Sequence, residues 1–144
     1  MNLKPILYAE DDENDVLFLR RAFKQVGISH PLVIVTDGQQ AIDYCSGQGN
    51  YTDRDACPLP CLMLLDLNMP KKTGTEVLEW LRKESSLPTL PVIILSSSLQ
   101  DSDLQLAYRL GANAYLVKSS QPAELLVMVQ SIRDFWLLQN RLTA

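Results

Sequence analysis

LMLLDLNMP, residues 62–70, decides the fold: four apolar residues run straight into a carboxylate, Asp66, and the chain then turns toward Pro70. A short run with no polar alternation is the pattern of a strand covered on both faces of a parallel sheet. Val92–Leu95 has the same character and runs into Ser96. Working outward, Ile6–Ala9, Leu32–Thr36 and Ala114–Val117 read as three further short strands. Helical spacing fills the intervals. Val16, Leu19, Phe23 and Val26 recur on one face and stop at Gly27. Gly38–Ser46 is a shorter helix. Thr75–Lys83 sets Val77, Leu78 and Leu81 on one face. Asp101–Leu110 carries Leu104, Ala107 and Tyr108 and ends at Gly111, and Pro122 opens a last helix running toward Leu142. Five strands alternating strictly with five helices imply right-handed crossovers and an α/β fold, a doubly wound five-stranded parallel sheet between two helical layers. Gly47–Pro60 and Ser85–Pro91, rich in turn residues, read as irregular connections.

The totals agree with one domain over residues 1–144, with an extended C-terminal helix. A formal net charge of −4 argues against a partner that presents a phosphate backbone, since such partners call for a basic excess. Cys45, Cys57 and Cys61 form an odd set without framework spacing and read as free thiols of a reducing cytoplasm, with a Cys57–Cys61 pair only a minor oxidised option. His30 is far in sequence from all three, which disfavours zinc. The opening MNLKPILYAEDD meets acids almost at once, so neither a signal peptide nor a membrane span is expected there.

The informative residues stand where the strands end. Glu10, Asp11 and Asp12 follow the first, Asp66 the third, Ser96 the fourth and Lys118 the fifth. In an open parallel sheet these ends share one edge, where ligands bind. Each residue has an ordinary alternative. Asp11 and Asp12 could cap a helix, Asp66 could begin a turn, Ser96 to Ser98 could form a capped loop, and Lys118 could be a surface lysine. The joint pattern outweighs them. Several carboxylates at one edge repel unless a cation sits among them, and Mg²⁺ takes carboxylates, waters and a phosphate oxygen. A carboxylate nucleophile forming an acyl phosphate, with Mg²⁺ and an ammonium offsetting phosphoryl charge, is the chemistry this combination favours.

Asp66-Leu67-Asn68-Met69-Pro70-Lys71-Lys72-Thr73-Gly74 matches D-x-x-M-P-x-x-x-G. With these residues the chain resembles the receiver domains of bacterial response regulators, from Ile6 to about Leu138. The resemblance implies a flavodoxin-like (βα)5 receiver fold with strand order 2-1-3-4-5. It implies that Asp66 accepts a phosphoryl group from a sensor histidine kinase. It also implies that Asp11 and Asp66 bind Mg²⁺ through carboxylates, Asn68 through its backbone carbonyl and Glu10 through a water. Ser96 and Lys118 would contact the phosphoryl group, and Ser96 with the aromatic Tyr115 would form the switch. The long Gly47–Pro60 loop, the segment LEWLRKESSLPTLPVIILSSS and the Phe135-Trp136 pair resemble stand-alone regulators that partner phytochrome-type kinases. One position departs from the family: a proline usually follows the lysine, in cis, and here it is Ser119. A cis bond without proline costs roughly 3 kcal/mol, so this bond is expected to be trans or the loop strained.

In the last helix, Leu125, Val129, Ile132 and Trp136 form a stripe expected to face the sheet, while Met128, Phe135, Leu138 and Leu142 flank it. The second set reads either as one broad buried face or as a docking surface, and a homodimer through this region is the expectation. No DNA-binding module is expected after Ala144, so output is expected through protein contact or phosphoryl relay, or through an effector that a partner supplies. An aspartate-nucleophile phosphatase of the haloacid dehalogenase type would need a second aspartate where Asn68 stands, so turnover on an external phosphoester is not expected. A flavodoxin-like carrier would need a phosphate-binding loop where Glu10, Asp11 and Asp12 would repel the phosphate.

Overall fold

The computed structural model describes residues 3–140. Its elements, in chain order, are β1 (Ile6–Ala9), α1 (Glu13–Val26), β2 (Leu32–Val35), α2 (Gly38–Ser46), β3 (Leu62–Leu65), α3 (Gly74–Lys83), β4 (Val92–Ser96), α4 (Asp101–Arg109), β5 (Ala114–Val117) and α5 (Pro122–Ser131). The last helix winds on in wider π-type turns over Ile132–Gln139, and Leu142 lies outside the described residues. All strands pair in parallel in the order β2-β1-β3-β4-β5, the expected fold.

The unbroken apolar strands are explained by the two-residue period of a strand. Leu7, Ala9, Met63, Leu65, Val92 and Ile94 face one core with Val77, Leu78 and Leu81 of α3, Tyr44 of α2 and Ala107 of α4. Their alternates Ile6, Tyr8, Leu62, Leu64, Ile93 and Leu95 face a second core with Leu19 and Phe23 of α1, Val129 of α5 and Ile132. Both faces of each central strand are covered, so the strands stay apolar up to their C-terminal end, where β4 closes on the buried Ser96.

Local chemistry fixes the helix ends. Asp12 caps α1, accepting from the amides of Asn14 and Asp15 at 2.8 and 3.2 Å, and Gly27 closes it in the left-handed conformation at φ 81°. Helix α3 starts one residue earlier than the apolar spacing predicts. Thr73 and Glu76 form a reciprocal capping box that draws Gly74 into the first turn. The 47–60 connection is tethered: Tyr44 Oη donates to the Pro58 carbonyl at 2.8 Å, and Arg54 donates to the carbonyls of Cys45 and Cys57. Arg82 performs the same service beyond α3, donating to the carbonyls of Pro88, Leu90 and Gly111 and to Asn113 Oδ1.

The expected stripe of the last helix does face the sheet, with Val129 and Ile132 buried and Leu125 and Trp136 packed against them. The flanking set divides. Met128 joins the core, whereas Phe135 and Leu138 are exposed. Helix α4 buries only Ala107 and leaves Leu104 and Tyr108 exposed. All three cysteines are free thiols. His30, remote in sequence, packs its Nδ1 3.7 Å from Cys61 Sγ, because β2 and β3 flank β1 and bring their starts together. Sequence distance was therefore the wrong reason to separate them. No third ligand joins the pair, since among the described residues the one metal-competent group is elsewhere.

Candidate phosphoryl-acceptor and cation site

The parallel ladder runs on past the strand ends and carries the site residues with it. The amide of Glu10 donates to the Val35 carbonyl, that of Asp66 to Ala9, and that of Lys118 to Ser96, at 2.8–3.1 Å. Glu10 therefore continues the parity of Tyr8, Asp66 that of Leu64, and Lys118 that of Leu116. All three belong to the face covered by α1 and α5. Ser96 and Tyr115 take the opposite parity, toward α4. The period of two thus sets Glu10, Asp66 and Lys118 on one face and Ser96 with Tyr115 on the other.

Glu10, Asp11 and Asp66 each bring a carboxylate oxygen within 4.8 Å of the others. Glu10 and Asp66 are buried and Asp11 is exposed. Asp12, next in line, is spent on the helix cap, so the acidic run divides its labour within one residue. Lys118 Nζ lies 2.5 Å from Glu10 Oε1, 3.0 Å from Asp15 Oδ2 and 3.5 Å from Asp66 Oδ1. Tyr8 Oη donates to Glu10 Oε1 at 3.3 Å, and the Asp12 amide donates to Glu10 Oε2 at 3.2 Å. Asp15 and Tyr8 escaped sequence reasoning. Asp15 reads as first-turn acid, and Tyr8 as an ordinary apolar strand residue.

The site is short of positive charge. Burial pushes the Glu10 carboxyl up, the bond from Lys118 draws it back, and the Asp66 charge raises it again, leaving it at about 7. Burial likewise raises Asp66, against the pull of Lys118 and of the Asn68 amide. Burial opposes the Lys118 charge, but its carboxylate neighbours outweigh that and hold the ammonium above its ordinary range. Buried hard oxygen donors with residual negative charge are a donor set that fits a divalent cation.

Because the folded protein holds its Glu10 proton more tightly than the unfolded chain, this group favours folding at low pH, and the advantage is lost as pH rises from 4.5 through about 7. In metal-free buffer the melting temperature is expected to fall across this window. Added Mg²⁺ should reverse the fall, and Glu10→Gln should flatten it. A pH-independent melt of the wild type would contradict the assignment.

Ser96 is fully buried, and its Oγ accepts from the Ser98 amide at 3.1 Å. Tyr115 Oη donates to the carbonyl of that same Ser98 at 3.1 Å, and Ser98 Oγ donates to Asp103 Oδ2 at 2.5 Å. Ser98 thus joins the two predicted switch residues, a link that no local sequence pattern reveals. The peptide after Lys118 is trans, there being no cis bond among the described residues. Ser119 makes the turn into α5, its Oγ accepting from the Gln121 amide and donating to Glu124. Asn68 lies exposed in the loop after Asp66. Gly74 closes that loop, its amide donating to the Leu67 carbonyl at 2.9 Å.

Comparison with known proteins gives the family and its relatives. The model of the response regulator receiver domain matches residues 6–130. The response regulator Rcp1 of Synechocystis sp. is 40% identical over 134 residues, 93% of this chain and 89% of Rcp1. The crystal structure of the Mn²⁺-bound form of Rcp1 superposes with a TM-score of 0.88 at 39% identity, covering 99% of this chain and 100% of that one. The response regulator RPA3017, in red light signaling of R. palustris, gives a TM-score of 0.93 at 38% identity over 99% of both chains. The phosphorylated cyanobacterial phytochrome response regulator RcpA gives 0.90 at 35% identity, over 98% of this chain and 99% of that one.

Proposed function

This chain belongs to the response regulator receiver domain family of two-component signalling, and from that premise we propose that Asp66 is its phosphoryl acceptor, Mg²⁺ its cation and a phytochrome-type histidine kinase its donor. The observation that carries the reading is the convergence of Glu10, Asp11 and Asp66 on one point with Lys118 beside them. Glu10, Asp11, Asp66 and the Asn68 carbonyl are the groups available to hold the cation, Glu10 through a water. Bound Mg²⁺ supplies charge neutralisation to the transferring phosphoryl group. An Asp66 carboxylate oxygen forms a bond to phosphorus as the bond from phosphorus to the kinase imidazole nitrogen breaks, and the imidazole leaves with its proton. Lys118 faces the Asp66 oxygen and donates to the incoming phosphoryl oxygens. Hydrolysis by water returns the carboxylate and inorganic phosphate. The chain is then a phosphoryl acceptor that releases phosphate by self-dephosphorylation rather than a multi-substrate enzyme.

The signal passes through Ser98. When Ser96 Oγ turns to the phosphoryl group, the Ser98 amide loses its acceptor, and the Ser98 carbonyl that holds Tyr115 moves with it. Tyr115 then turns inward, a shift between two packings driven by one new charge. We place the protein in the cytoplasm; among the described residues no helix is long and apolar enough to cross a membrane.

The test is intact-protein mass after incubation with acetyl phosphate. A single phosphoryl adduct is expected with Mg²⁺ and none with a chelator. Absence of both an adduct and beryllofluoride binding would sink the reading. A homodimer is the proposed output form, because exposed large apolar residues gather on α4, β5 and the last helix, among them Leu104, Tyr108, Val117, Phe135 and Leu138. Sedimentation should show beryllofluoride changing the dimer fraction and Phe135→Ala with Leu138→Ala lowering it. Identical profiles for all samples would rule this surface out.

A further inference from the structure

We infer that Asp15 is a positioning residue for phosphoryl transfer: it anchors Lys118 so that one ammonium N–H is left facing the acceptor carboxylate. The inference rests on Asp66 being that acceptor. An ammonium on a flexible four-carbon stem has three N–H donors and no acceptor, so its direction is set largely by the partners those donors find. In Lys118 one is taken by Glu10 at 2.5 Å and one by Asp15 at 3.0 Å, while Asp66 Oδ1, at 3.5 Å, is beyond a good hydrogen bond. Two fixed carboxylates therefore aim the third N–H at the oxygen that would carry the phosphoryl group.

Asp15 is suited to this as Glu10 is not. Glu10 belongs to the acidic cluster, and its oxygens already accept from Tyr8 and the Asp12 amide. Asp15 stands outside that cluster and is set by the first turn of α1, its amide bonded to the Asp12 cap. The backbone at Lys118 supplies no ring constraint, since Ser119 follows it through a trans bond. A second carboxylate on the lysine does the holding instead.

The test is a double-mutant cycle on the full chain, read as the rate of adduct formation from acetyl phosphate at saturating Mg²⁺. Asp15→Ala is expected to slow the reaction about tenfold. Lys118→Met should slow it further, and the double variant should be no slower than Lys118→Met alone, because Asp15 acts only through Lys118. Asp15→Glu should recover most of the rate and Asp15→Asn should not. Multiplicative losses in the double variant would overturn the inference. Lysine-ammonium NMR gives a readout independent of chemistry: a slowly exchanging Lys118 signal should be present in the wild type and lost in Asp15→Ala, while thermal melts confirm a folded chain. If the wild type takes up no phosphoryl group and binds no beryllofluoride, the reading of Asp66 fails. The NMR signal then decides the pairing alone, and a signal unchanged in Asp15→Ala overturns it.

Discussion

Asp66→Asn is expected to abolish the phosphoryl adduct entirely while making the metal-free protein more stable. The amide cannot form an acyl phosphate, because its oxygen carries no charge and is a poor nucleophile toward phosphorus. The stability change has an electrostatic origin. Burial holds the Asp66 carboxyl above its ordinary range, so its ionisation at neutral pH works against folding. An uncharged isostere removes that cost and also relieves Glu10, whose carboxyl the Asp66 charge pushes up. Mass spectrometry and thermal melts with and without Mg²⁺ check both halves. The wild type should gain more from Mg²⁺ than the variant does. A variant that still forms a full Mg²⁺-dependent adduct would place the acceptor elsewhere, and one that melts lower without metal would contradict the charge argument.

Gly74→Ala should cost about 3 kcal/mol or more and slow phosphorylation as well. A Cβ built at Gly74 would stand 2.2 Å from the Asp66 carbonyl oxygen, 2.7 Å from Leu67 Cα and 3.0 Å from the Asp66 carbonyl carbon. All three are backbone atoms of the strand end that presents the acceptor, so no side chain can swing aside. Either the start of α3 or Asp66 itself must move. A displacement near 1 Å at a reacting group is worth on the order of a hundredfold in rate. Gly27→Ala is the control. Nothing lies within 4 Å of its Cβ, and its cost is confined to the left-handed backbone at φ 81°. That is about 1 kcal/mol, without loss of phosphorylation. Urea denaturation and adduct kinetics on the two variants separate steric displacement of the site from simple helix-end strain. Equal effects at both glycines would defeat the argument.

Several features of the site could be read before any coordinates. Strand ends are legible because an unbroken apolar run has to stop where the buried sheet stops. The first polar residue after it, Asp66, Ser96 or Lys118, is thereby placed at the ligand edge. The division between Asp11 and Asp12 was not legible. Both are acids before a helix, and only the cap geometry decides which one accepts the backbone amides. The capping box of Thr73 and Glu76 was legible in principle, since T-x-x-E stands in the sequence, but apolar spacing placed the start of α3 one residue late. The Phe135 and Leu138 flank reads from the sequence either as one broad buried face or as a docking surface, and only the packed structure separates exposed Phe135 and Leu138 from Met128, which joins the core.

By itself the sequence determined the order of strands and helices along the chain, the double-sided core and the set of chemistries at one edge. These follow from periodicity and local turn chemistry, which act over a few residues. Only the tertiary structure decided that Asp15 and Lys118, 103 residues apart, share an ion pair, and that Ser98 joins Ser96 to Tyr115. It alone decided that Gly74 must yield its Cβ position to the Asp66 backbone. Such contacts depend on strand stagger and on how closely each helix settles on the sheet, and those are fixed by the packing of the whole core rather than by any segment of it.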